Sequence, residues 1–190
     1  MAISTEKWRE IYKRLDAVSP VSYDCGNLCS KACCVVPEPV RKAMDETDDF
    51  GLYLFPGEEG LLEQTEGDFS WTEGDASEWF FPHSWNGTTI RFAQCLNPNK
   101  CPREHRPFQC RIFPTLPHFA EDGQLHLVFN DMELPYLCPL IEEDMEINED
   151  FLKETRNAWQ ILAEDPLIHD LIEMESVNRR PFITEEDYLI

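Results

Sequence analysis

The stretch C-P-R-E-H-R-P-F-Q-C-R-I-F-P, residues 101–114, packs two cysteines, three arginines and three prolines into fourteen positions. Proline fixes its own φ and holds the residue before it in extended backbone. Arg106, just before Pro107, is therefore expected to point in a set direction beside a short turn that carries Cys110. Working outward, Cys95 stands before this stretch and Leu137-Cys138-Pro139 after it. Nearer the N-terminus a second group, Cys25, Cys29, Cys33 and Cys34, reads C-x3-C-x3-C-C. Eight cysteines in two groups call for disulfides, a soft metal or iron–sulfur cluster, or nucleophilic chemistry.

Disulfides need an oxidising compartment. The opening M-A-I-S-T-E-K-W-R-E has no basic region followed by an apolar run, the mark of a secretory leader. No segment is apolar for long enough to span a bilayer, so the expectation is a cytoplasmic chain with no membrane attachment. A chain of 190 residues also buries an adequate core without cross-links. The adjacent pair Cys33-Cys34 would need two separate distant partners. Metal ligation is the stronger reading.

Charge follows the cysteines. The net charge is −21, yet residues 1–42 carry seven Lys and Arg against five Asp and Glu, and residues 91–120 carry five against one. Residues 43–90 carry none against twelve, and residues 121–190 four against nineteen. An acidic exterior repels nucleic acid and anionic lipid, which excludes both as partners. Acidity is read first as a solubility device, with a protein partner met through the acidic surface as the alternative. Around the cysteines the local cations have a chemical use: thiolates bind metals, and guanidinium groups offset their charge and donate to sulfur. Arg103, Arg106 and Arg111 are the expected supporting donors.

The coarse pattern is α+β, a small single domain over residues 1–190 with short antiparallel hairpins and terminal helices. Its core spans about 20–140, with a helical extension at about 148–177. Trp8, Ile11, Tyr12 and Leu15 fall at helical spacing, with Ser4 or Thr5 to cap. A short helix is expected after Pro39, to about Thr47. Leu52 to Phe55 reads as a strand ended by Pro56-Gly57, and Glu58-Glu59 as a solvated acidic face that starts a helix. Asn86-Gly87 reads as a tight hairpin turn, and Asp122-Gly123 as a second. Phe151, Leu152, Thr155, Trp159 and Leu162 mark one late helix; Asp165-Pro166 opens the last. Arg179-Arg180-Pro181 begins a loosely held tail.

Neither cysteine group contains the C-x2-C pairs of zinc ribbons or the C-x2-C-x2-C-x3-C-P of bacterial ferredoxins. The first group misses the C-x3-C-x2-C of radical S-adenosylmethionine enzymes by one position. The order C…C…C-C, an apolar strand with a Pro-and-Glu turn, C-x5-C, R-P-x2-C-R-x-F-P and a late Cys-Pro resembles the YkgJ-type cysteine cluster proteins, described as zinc- or iron-chelating. The matching positions are Cys25, Cys29, Cys33 and Cys34; Leu52 to Glu59; Cys95 and Cys101; Arg106-Pro107, Cys110-Arg111 and Phe113-Pro114; and Cys138-Pro139. The first loop is one residue wider at each spacing than the C-x2-C-x2-C-C expected of the family, and the insert at 63–92 is long. The family includes a flagellin lysine methylase whose cysteine region is thought to hold an iron–sulfur cluster.

The resemblance implies that all eight cysteines are metal ligands, and nothing catalytic. Eight thiolates suit two zinc ions, or one [4Fe–4S] cluster with four cysteines left over. His105 lies close to Cys101 but reads first as a supporting or surface residue, and the aromatics at 69–92 as core and shield. Two function classes follow: a binding protein that holds an iron–sulfur cluster or zinc, or an enzyme that uses that group in redox or substrate-modifying chemistry. Both require residues 25–34 to approach residues 95–138 in space.

Overall fold

The four apolar positions read at helical spacing in the N-terminal segment are buried on one face of helix α1 (Thr5–Asp16), as an amphipathic pattern dictates. Ser4 caps it, accepting a hydrogen bond from the amide of Lys7 at 3.3 Å. The computed structural model describes residues 3–33, 52–62, 68–96, 103–131, 134, 136–143 and 145–190. Cys34, Cys101 and the helix expected after Pro39 lie outside them.

The architecture is α+β with two small antiparallel sheets. Strands β1 (Leu52–Tyr53), β2 (Phe69–Asp75) and β3 (Thr89–Cys95) form the first, in the order β1-β3-β2. Phe69 pairs with Cys95 and Asp75 with Thr89. Asn86-Gly87 does not close a tight hairpin here. The connection from 76 to 88 runs through two 3₁₀ turns, Ala76–Glu78 and His83–Trp85. The detour seats Trp85 in the core, where its indole N–H donates to the carbonyl of Leu167 at 2.7 Å. A buried indole needs such an acceptor, and a two-residue turn could not carry the side chain there.

Strands β4 (Thr115–Phe119) and β5 (Leu125–Phe129) form the second sheet, with His118 opposite His126. Their turn is the expected one: Gly123 has φ +81°, which glycine adopts without a Cβ penalty, and Asp122 accepts from the amide of Gln124 at 2.9 Å. Short helices α2 (Glu59–Leu62), α3 (Phe108–Ile112) and α4 (Pro139–Glu142) precede α5 (Glu149–Leu162) and α6 (Pro166–Arg179). Asn148 and Asp165 cap the last two through their side chains, with Pro166 in the first turn of α6. No helix among the described residues is long and apolar enough to cross a membrane.

The C-terminal segment is not the loose tail its sequence implied. Arg179 is buried and donates to the carbonyl of Pro117 at 2.9 Å. The amide of Leu189 donates to Leu127 at 2.8 Å, and Tyr188 stacks on His126 with ring centroids 4.1 Å apart. Backbone pairing with β5 and ring stacking hold a segment whose apolar residues show no helical or alternating period.

Candidate metal centre

The start of α3, at Phe108, is anchored by a carboxylate. Glu58 is fully buried, which corrects the reading of Glu58-Glu59 as a solvated face. Its Oε1 accepts from the Tyr12 hydroxyl at 2.5 Å and from the amide of Phe108 at 2.6 Å, and its Oε2 from the amide of Phe55 at 2.9 Å. Three donors from α1, the Pro56-Gly57 turn and the start of α3 thus meet on one side chain. Loss of hydration pushes the Glu58 carboxyl up, while those hydrogen bonds and the nearby Arg111 oppose the rise. Burial likewise pushes the Tyr12 hydroxyl far up, and Glu58 adds to it.

Gly57 makes the junction possible. Its φ is +87°, and a Cβ there would come within 2.3 Å of the Ile3 carbonyl oxygen. Above the turn Trp8 donates to the carbonyl of Pro56 at 3.2 Å. Phe55, Phe108 and Trp159 pack edge-to-face, with centroids 4.9 to 5.7 Å apart, an arrangement that aromatic quadrupoles favour.

Arg111, expected beside a sulfur, bonds oxygen with all three nitrogens. Nε donates to the Arg106 carbonyl at 2.6 Å, Nη2 to the Glu104 carbonyl at 2.8 Å, and Nη1 to the Asp16 carboxylate. Its guanidinium also lies 4.0 Å from the Tyr12 ring centre. The planar fork is matched to these oxygens, so Arg111 holds the 104–111 loop to α1.

Cys25 and Cys29 sit in a separate loop that follows α1. Asp24 opens the 3₁₀ turn Cys25–Asn27, accepting from the amide of Gly26 at 3.1 Å. Ser30 and Lys31 follow with φ of 53° and 61°. Two successive left-handed residues without glycine are costly, roughly 1–2 kcal/mol each, and they turn the loop between Cys29 and Cys33. Cys138 is buried at the start of α4.

Burial pushes the Cys25 thiol up, and Asp24, Cys29 and Cys138 push the same way, while Arg106 pulls it down. Burial pushes the Cys138 thiol up as well, opposed by the amides of Leu140 and Ile141 and reinforced by Cys29. Cys25, Cys29 and Cys138 are therefore close enough for their charges to act on one another, with Arg106 beside Cys25. Arg106 in turn lies 3.9 Å from the Asp24 carboxylate.

The other predicted ligands are placed differently. Cys33 is exposed, Cys95 ends β3 half-buried opposite Phe69, and Cys110 sits half-buried in α3, where its charge reaches Tyr12. Arg103 opens the 3₁₀ turn Arg103–His105. Among the described residues, no set of three or more His, Cys, Asp or Glu side chains is arranged to hold a metal ion. Sequence reading missed Asp24, whose place before Cys-Gly marks it as a turn cap. It also missed Asp68, which lies 2.5 Å from Nδ1 of His105 and gave no signal in the sequence. Comparison with known protein families, curated proteins and solved structures finds no match for this chain.

Proposed function

We propose that this chain is a cysteine-ligated metal-binding protein of the YkgJ type, holding an iron–sulfur cluster or zinc. The observation that supports it is that Cys25, Cys29 and Cys138, from distant parts of the chain, lie near enough for their charges to act on one another, with Arg106 acting on Cys25; a bound ion would have to draw them into ligating geometry. Soft thiolate donors suit zinc and iron–sulfur groups alike. Burial pushes the Cys25 and Cys138 thiols up, and metal ligation needs thiolates, so uptake would release protons. Cys25, Cys29 and Cys138 would supply sulfur ligands, and Arg106 would offset their charge. A bound cluster supplies one-electron chemistry, whereas zinc supplies a structural tie between the two cysteine-bearing segments.

Purification without oxygen, followed by metal analysis and an absorption spectrum, tests the reading. Stoichiometric iron with visible sulfur-to-iron absorption, or stoichiometric zinc in a colourless protein, is the expected result. Protein that carries neither metal and takes up neither when supplied would overturn it.

A further inference from the structure

Away from the thiols, an open groove of about 380 Å³ lies between the β4–β5 turn and helices α5 and α6; Phe119, Leu125, Arg156, Gln160, Glu164 and His169 contribute to its lining. Arg156 sets it apart. Arg14, Arg91, Arg106, Arg111, Arg179 and Arg180 each pair with a carboxylate. Arg156, like the exposed Arg9, pairs with none among the described residues, and the Nε of Arg156 is buried without an acceptor. With 37 Asp and Glu against 16 Lys and Arg, this chain has acceptors in excess. A buried N–H without an acceptor is costly to maintain.

The lining specifies the complement. A guanidinium fork matches a carboxylate through two parallel hydrogen bonds. Gln160, one helical turn along α5, adds a neutral amide. Phe119 and Leu125 offer apolar walls, and the His169 ring lies over Phe119 at a centroid distance of 4.9 Å, a surface suited to an aromatic body. Glu164 stands in the same lining and disfavours a second negative charge. We propose that this groove binds a small aryl monocarboxylate, its carboxylate on Arg156 and its ring against Phe119 and Leu125. The proposal is independent of the metal reading.

Titration of the full chain with phenylacetate, followed by amide and arginine Nε–H resonances, tests it. Saturable shifts at residues 119–125 and at Arg156 are expected, with a dissociation constant on the order of 1 mM, as small ligands of this size allow. Arg156→Gln should weaken binding about tenfold with the circular dichroism unchanged, and the neutral analogue phenylacetamide should bind the native chain about tenfold more weakly. Non-saturating shifts up to about 50 mM, far above that range, would overturn the proposal. So would phenylacetamide binding as well as phenylacetate, or unaltered binding by Arg156→Gln.

Discussion

Two polar sites flank the loop that carries Arg106 and Cys110, and they are finished to different degrees. At Glu58 the protein completes the site itself: every donor in the cluster meets oxygen, aromatic rings seal it, and Gly57 allows the chain to pass. At the cysteines nothing is completed: burial opposes ionisation of Cys25 and Cys138, Arg106 favours that of Cys25, and no described set of three side chains is arranged to hold an ion. The difference separates a completed structural site from the one proposed to take a ligand. A buried carboxylate with all its partners specifies the fold, whereas thiols left with their protons are the groups an added cation would act on.

Deleting a buried, fully bonded carboxylate leaves several donors unsatisfied. Glu58→Ala is expected to cost about 3–5 kcal/mol, with or without metal, as read by denaturant unfolding. Cys25→Ala in metal-stripped protein should cost about 1 kcal/mol or less. Equal losses would erase the distinction between the two sites. Gly57→Ala comes next, at about 2 kcal/mol or more from its positive φ and the approach to Ile3, measured the same way. Arg106→Ala should leave thermal stability of the metal-free chain nearly unchanged but speed metal loss to a chelator roughly tenfold. Unaltered loss would remove Arg106 from the thiol site.

The smallest effect concerns pH. His118 is buried, and burial first, then Arg179, Arg180 and His126, push its pKa down; Asp131 opposes them, and the Tyr188 ring lies beside it. Its folded pKa lies below its unfolded value, so between the two the unfolded chain binds more protons. Stability then rises with pH through that window and is lost as pH falls below about 6.5. His118→Phe should flatten the slope of unfolding free energy just below about pH 6.5; an unchanged slope would place the acid sensitivity elsewhere.

Much of the fold was legible because its signals are local. Ser4, Asn148 and Asp165 mark helix starts, Pro166 sits where its missing N–H costs nothing, and Asp122-Gly123 closes the β4–β5 hairpin. Glu58 was misread because it follows a Pro-Gly turn and adjoins a second glutamate, while Tyr12 and Phe108 lie 46 and 50 residues away. Arg111 was assigned to sulfur because it adjoins Cys110, yet its acceptors are Asp16 on α1 and two carbonyls of its own loop. Of the eight cysteines, spacing could nominate candidates but not choose partners, since the meeting of Cys29 with Cys138 depends on the path of all the chain between them.

The central claim is that Cys25, Cys29 and Cys138 hold a metal or cluster. Iron and zinc content of Cys25→Ala and Cys138→Ala, purified without oxygen beside the native chain and with folding checked by circular dichroism, tests it most directly. The account predicts stoichiometric metal in the native chain and a loss of most of it in both folded variants. Native metal content in both variants would contradict it.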